Sequence, residues 1–368
     1  MHSISKNYTR LQEDVVYIQK FLSRDGQELG LRLATTDDAK SLSMIFKEVY
    51  GYQYIKPFVY NIELFKKELS RKNSFWFVGE VLENNEIVGA GVIEKNRYIA
   101  HAGSMLVKKK FQGIGIAAKM ATVGIIFATK MPQFKNVLRL DGEARSIKIG
   151  SQKSIQDAGG IPYGLIPAFI NLGDKRKYKT DSNKPPPPVN EEAAFLYSLI
   201  FKSLWKQREK EIYLLDNEDF IFFYNYIKNI ARKRMNNDVL ILDRGKKRKT
   251  IELYGVSKDF YEGILNLYGY IKEKSLNNLF KTYKAWRIIL WRIPTTPDGI
   301  HSMSLALEKG FNIVGYDIGF SNYNWTLYDS IIMAYYPNGG SQALKVNCLD
   351  LNRPLYNKVR EIFFSRIN

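Results

Sequence analysis

Residues 105–117 constrain the fold more than any other stretch: Met105-Leu-Val-Lys-Lys-Lys-Phe-Gln112-Gly-Ile-Gly115-Ile-Ala117. A β-prone run ends in Val107, a short basic connection comes next, and two glycines open a helical pattern that runs to about Lys130. At such a turn successive backbone N–H groups point outward together, and the helix N-terminus adds a partial positive charge. The product is a seat for an anion such as a pyrophosphate. Gly113 and Gly115 keep side chains off the amides, and Lys108, Lys109 and Lys110 are expected to add positive charge nearby. The spacing matches neither G-x-G-x-x-G nor G-x-x-x-x-G-K-[ST], which sets aside a dinucleotide fold and a P-loop.

Around this segment the periodicities give an element order of β-α-α-β-β-β-α-β-α-β. Residues 9–25 read as an amphipathic N-terminal helix, with Leu11, Val15, Ile18 and Leu22 on one stripe. Leu29–Ala34 is a strand, Thr36 to Asp38 supply capping groups for a helix to about Tyr50, and Asn61–Arg71 is a second helix. Ser74–Leu82 and Glu86–Lys95 form a hairpin about Glu83-Asn84-Asn85, and Tyr98–Val107 is the next strand. Asn136–Asp141, Ser151–Ala158 and Ile161–Leu172 come after it as strand, helix and strand.

The composition then changes to Asp174-Lys-Arg-Lys-Tyr-Lys179 and Pro185–Pro188, which predicts a stiff, solvated linker over 176–190. Beyond it the sequence predicts helical segments from Glu191 to about Arg234, and strands Val239–Leu242 and Lys249–Val256 about a basic turn, Asp243–Arg248. A helix from Lys258, a strand Arg287–Arg292, a helix Asp298–Lys309 and strands over Ile313–Phe320 and Thr326–Tyr336 complete the pattern.

An internal repeat runs through this order. At a constant offset of 151 residues Ser151 falls on Ser302, Gly159 on Gly310, Gly164 on Gly315 and Phe169 on Phe320, and Val137–Leu140 falls on Ile288–Trp291. At an offset of 149, Val107 falls on Val256 and Phe111 on Phe260, which sets Gln112 and Gly113 against Tyr261 and Glu262, and Gly115 against Ile264. A mixed α/β fold present twice is the expectation, the second copy having bulky and acidic residues in place of the open turn and so no anion seat.

The segment Gln112-x-x-Gly115-x-Ala117 resembles the acetyl-CoA loop of the GNAT (Gcn5-related N-acetyltransferase) superfamily, Gln/Arg-x-x-Gly-x-Gly/Ala. The resemblance implies an acyl-CoA N-acyltransferase fold over residues 28–175 and a degenerate GNAT-like copy over 191–368, after an extension of residues 1–27. It implies a cofactor site at Leu106, Val107, Gln112, Gly113, Ile114, Gly115, Ile116, Ala117 and Ser151, with the acyl-pantetheine arm between strands Ile99–Val107 and Asn136–Asp141. A narrower likeness, to a bacterial and archaeal branch, lies in Tyr50-Gly-Tyr52-Gln-Tyr54 with Pro57 and Tyr60, in Glu143-Ala144 and in Ser151-Gln152. Lys148 stands where that branch has a histidine.

Acylation of an ammonium group needs its proton removed first. In histone-acetylating members a carboxylate lies six residues before the last Val of the strand; here that position is His101, whose side-chain type titrates near neutral pH. Glu143 is the second candidate base. The proton for the leaving thiolate comes from Tyr163 or water. Tyr50, Tyr52 and Tyr54 fall where these enzymes build the acceptor pocket, suited to sandwiching a substrate or meeting a cation face-on.

The remaining composition bounds the setting. The net charge of +18 favours phosphate-bearing partners, so a non-catalytic, nucleic-acid-binding protein that kept the fold is the rival reading. No apolar run is long enough to span a bilayer, and the N-terminus has no apolar signal region. With a single cysteine, Cys348, and three histidines, the chain is expected to be cytoplasmic and without a metal.

Overall fold

The computed structural model describes residues 16–180, 184–245, 251–323, 325–339 and 344–364. Residues 9–15 of the expected N-terminal helix, 181–183 of the linker and 246–250 around the basic turn lie outside them. The chain divides into two compact units, Met1–Val137 and Leu138–Asn368.

The first unit is an antiparallel run of five strands in chain order: β1 (Gln19–Leu22), β2 (Glu28–Leu33), β3 (Ser74–Val81), β4 (Glu86–Asn96) and β5 (Ile99–Val107). The N-terminal helix expected over 9–25 is corrected here, because its described part is an edge strand that turns at Ser23–Gly26 and pairs with β2. Helices α1 (Ala39–Tyr50) and α2 (Ile62–Leu69) cover one face. Leu42, Ile45, Phe46 and Phe65 pack there on Trp76, Val78, Ala90, Val92 and Leu106. Local chemistry starts and stops these elements. Asn61 Oδ1 accepts from Leu64 N to cap α2, and Asn85, at a φ of 57°, makes the β3–β4 turn. On the other face α3 (Ile116–Lys130) lays Met120 into a gap left by Gly79 and Gly89, where added Cβ atoms would meet its sulfur at 2.7 and 2.8 Å.

The second unit has strands β6 (Arg139–Arg145), β7 (Ile161–Leu172), β8 (Asn190–Ile200), β11 (Leu253–Asp259), β12 (Ile264–Tyr270), β13 (Ile288–Pro294), β14 (Asn312–Tyr323) and β15 (Thr326–Tyr335). Their order is β6-β8-β7-β14-β15-β13-β12-β11, antiparallel except for β12–β13. A separate parallel pair joins β9 (Glu211–Leu215) and β10 (Val239–Asp243). The helices are α4 (Ile149–Asp157), α5 (Lys202–Gln207), α6 (Glu218–Ile230), α7 (Glu273–Thr282), α8 (Gly299–Glu308) and α9 (Arg353–Phe364).

Three expectations are corrected in this unit. The helix expected from Glu191 is strand β8, whose residues 193–198 are buried on both faces between β6 and β7, as a central strand requires. The polyproline stretch is not the division between units, because β7 and β8 on either side of it pair with each other. Pro185 and Pro186 are buried, and Asn171 Nδ2 donates to the Pro187 carbonyl. The helix expected from Lys258 is the end of β11, a turn and β12, the helix itself starting at Glu273.

The same connection is drawn twice. In β6-α4-β7-β8 the last strand inserts between β6 and β7; in β13-α8-β14-β15 it inserts between β13 and β14. β7 and β14 coincide at the 151-residue offset, and Gly159 and Gly310 both come after their helices in left-handed conformation, with φ of 90° and 84°. The two copies of this connection meet in antiparallel register at Gly164 and Gly315, so equivalent residues face each other across a local twofold.

Candidate functional site

Strand β5 breaks its ladder just before the glycine loop. Ala90 pairs with Leu106 but Val92 pairs with Gly103, so Ser104 and Met105 oppose a single residue of β4. Ser104 has a φ of 53°, a backbone state rare for a residue with a side chain and one that must be held from outside. Tyr54 holds it: its hydroxyl donates to Ser104 Oγ at 2.8 Å. Tyr54 is 6% exposed, with its ring against Phe46 and Tyr50 at 4.6 and 4.9 Å between centroids. The expected substrate contact at Tyr54 is therefore corrected to a core side chain that fixes the bulge. Tyr50 and Tyr52 are half-buried, and Lys47 already lies 5.1 Å from the Tyr52 ring centre.

His101 pairs in register with Glu94. Its ring lies along the strand over Gly103, where a Cβ would come within 3.2 Å of Cε1. Glu94 receives Lys56 Nζ at 2.9 Å and has Arg71 at 3.5 Å. Burial raises the Glu94 pKa, but the charges of Lys56, His101 and Arg71 outweigh it and hold the carboxyl below its ordinary value. The sequence reading did not single out Glu94, Lys56, Arg71 or Ser104; only pairing register brings them to His101.

The glycine loop has the expected form. Gly113 and Gly115 take φ of 85° and 89°, and Gly115 is the N-cap of α3. A Cβ at Gly113 would meet nothing within 4 Å, so the approach to the turn is open. Gln112 Nε2 donates back to the Val107 carbonyl at 2.9 Å, which closes the loop on the strand end. Leu106, Val107 and Ile116 bury their side chains, leaving backbone groups as what they can offer a ligand, while Ala117 is half-buried. Ile114 gives its carbonyl to Arg24 N at 3.1 Å.

The positive charge beside the loop differs from the expectation. Lys108 and Lys110 are tied to Glu86 at 2.7 and 2.9 Å, and Lys108 above all holds that carboxyl below its ordinary value against the smaller effect of burial. Arg24, from the turn after β1, lies alongside instead, its Nε 3.3 Å from where a Gly115 Cβ would stand.

The other expected site residues belong to the second unit. Glu143 is exposed and lies within β6, which runs on to Arg145, rather than after the strand. Ser151 is exposed in the first turn of α4 and donates to the Lys148 carbonyl at 2.8 Å. Gln152 is fully buried and donates to the Ser146 and Asn347 carbonyls. Tyr163 is corrected as a proton donor: it is buried, and burial, then Asp317 and Asp141, push its pKa well above the ordinary phenol value.

The alignment of Tyr261 and Glu262 with the glycine loop is also corrected. These residues sit in the β11–β12 turn, before the strand that leads to α7. Only Ile271 and Lys272 separate β12 from α7, against Lys108 to Gly115 between β5 and α3 in the first unit. Glu262 is buried instead against Lys175 and Arg287, each 3.7 Å away, and its carboxylate accepts from Asn171 N at 2.6 Å.

Residues 40–148 match the Acetyltransferase (GNAT) family. No curated protein sequence matches the chain. Solved structures similar to part of the chain include the ribosomal-protein-S5-alanine acetyltransferase of Vibrio fischeri, 17% identical over 50% of this chain and 98% of that one, with a TM-score of 0.39. A ribosomal L7/L12 alpha-N-protein acetyltransferase in complex with coenzyme A is 14% identical over 48% and 95%, with a TM-score of 0.37. A spermidine/spermine N-acetyltransferase of Vibrio cholerae is 13% identical over 47% and 94%, with a TM-score of 0.36.

Proposed function

We propose that the chain transfers an acyl group, acetyl or a related one, from an acyl-CoA to an amine. One observation carries the reading: within the family match, the Gln112–Ala117 turn presents Gly113 and Gly115 in left-handed conformation, open on the ligand side, at the start of α3. The residues fit a pyrophosphate, because first-turn amides lack intrahelical acceptors and Arg24 adds a cation. Bound acyl-CoA supplies an activated thioester.

The chain's own groups supply position and proton transfer. His101 takes the proton from the ammonium acceptor, with Glu94 opposite it in register. The free amine then attacks the acyl carbon, the carbon–sulfur bond breaks, and the proton that the nitrogen loses on becoming an amide passes through water to the leaving sulfur, Tyr163 being buried. Glu143 is the alternative base. Tyr50 and Tyr52 form the wall facing the acceptor. The repeated strand connection supports a second, degenerate GNAT-like copy with a structural role, in which the two-residue link before α7 leaves no room for an anion seat.

Thiol release from acetyl-CoA, read by a chromogenic disulfide across polyamines, amino acids and peptide N-termini, tests the activity, with mass spectrometry of the product. At least one amine should gain an acetyl group. CoA binding with no acylated product from any amine class would leave a binding protein and overturn the enzymatic reading.

A further inference from the structure

The second unit holds an open cleft of about 480 Å³ lined by Lys202, Trp205, Arg232, Lys233 and Arg234, with apolar walls from the ends of β7, β8 and α6. A cleft of this size falls in the range of ligand sites, roughly 300–1,000 Å³. Four of its lining side chains are cations and none is acidic. Among the described residues none of the four is held in an ion pair. Their neighbour Arg208 shows the contrast: it is buried between Asp238 and Asp329, 2.8 and 2.5 Å away, and so fully neutralised. Its guanidinium lies 5.9 Å from the Trp205 ring centre, which backs the indole from inside while the residue stays only half-buried.

We infer that this cleft binds single-stranded nucleic acid, with Trp205 as a stacking surface for a base and the four cations on the backbone phosphates. The alternatives fit less well. Arg232–Arg234 form one 3-10 turn, where consecutive side chains diverge by about 120°, so they suit successive phosphates of a strand better than one phosphate of a free nucleotide. A duplex keeps its base faces stacked away from an indole, whereas unstacked bases seek aromatic side chains. The net charge of +18 supplies the long-range attraction, and the cleft supplies the place. The cleft and the glycine loop share no residue, so its test does not depend on acyl transfer.

Fluorescence anisotropy of a labelled oligouridylate of roughly twelve nucleotides, titrated with the full chain from about 50 to 300 mM KCl, reads the binding. Each phosphate contact with a single strand contributes about −0.7 to the slope of log K against log salt, so the Arg232→Ala, Lys233→Ala, Arg234→Ala triple variant should flatten it by about 2. Trp205→Ala should weaken binding about tenfold with the slope unchanged, and Trp205→Phe, which keeps an aromatic face, should recover most of the loss. An unchanged slope in the triple variant would place binding on the diffuse basic surface and overturn the proposal. So would a duplex bound more tightly than the single strand, or phosphatidylserine vesicles bound where the oligonucleotide is not.

Discussion

The local twofold between the repeated connections makes a sharp prediction at its centre. In Gly315→Ala the new methyl would lie 2.6 Å from the Tyr163 carbonyl oxygen and 2.9 Å from Gly164 Cα, both backbone atoms that cannot rotate away. Restoring ordinary contact at 3.4 Å requires β7 and β14 to part by about 0.8 Å, a forced overpacking that costs about 1–3 kcal/mol. For a cooperative unit of 150–250 residues each kcal/mol lowers the melting temperature by about 2–4 °C, so the drop should be roughly 2–12 °C. Gly164→Ala meets the Val314 carbonyl at 3.1 Å and should cost less. Gly255→Ala, whose methyl has its nearest neighbour at 3.7 Å, is the control and should stay within about 0.5 kcal/mol of wild type. Scanning calorimetry of the full chain and the three variants measures the series. Gly315→Ala melting with wild type, or above Gly164→Ala, would refute the close approach at the seam.

Two further predictions concern the first unit. His101→Ala should lower turnover far more than it weakens acyl-CoA binding, and should flatten the acid limb of the rate profile between about pH 6 and 8; an unchanged profile moves the base to Glu143 or water. Burial raises the Asp38 pKa, but hydrogen bonds from Arg32 and Thr35 more than reverse this and hold it low. A depressed carboxylate stabilises the fold above its unfolded pKa of about 3.9, and that stability is lost as pH falls through the lower folded value. Asp38→Asn should therefore lower stability by about 1.5–3 kcal/mol at pH 7, with the gap to wild type beginning to close below about pH 4 in denaturant titrations; a gap that does not narrow as pH falls below about 4 would refute the assignment.

How legible the fold was in the sequence depended on where its information lay. The β3–β4 hairpin, α1 to α3 and the glycine loop were readable because turn chemistry, capping and periodicity are local signals. Glu191–Ile200 was not: its Glu-Glu-Ala-Ala start suits a helix, and only two flanking strands make it a central strand. The repeated strand connection was legible from Ser151 to Phe169, where the offset of 151 holds for whole elements, and the pattern was misleading near Phe111, where only Ile271 and Lys272 come between β12 and α7 and an offset of 149 matched unrelated turns. At the site His101, Gly113 and Gly115 carried sequence signals. The bulge at Ser104, its tie to Tyr54 and the place of Arg24 come from strand register and chain return, which no window of residues contains.

Isothermal titration of CoA into the full chain and into Gly115→Glu tests the central claim most directly. The carboxylate would stand at the N-terminus of α3, among the amides proposed to face a pyrophosphate. At a separation of about 5 Å its repulsion amounts to roughly 1–3 kcal/mol per phosphate charge between fully and partly solvated limits, in addition to blocking the turn. Wild type should bind CoA with a measurable heat, and Gly115→Glu, with an unchanged far-ultraviolet dichroism spectrum, should show a loss of at least a hundredfold. Equal binding by the two proteins, or no heat from the wild type, would contradict the account.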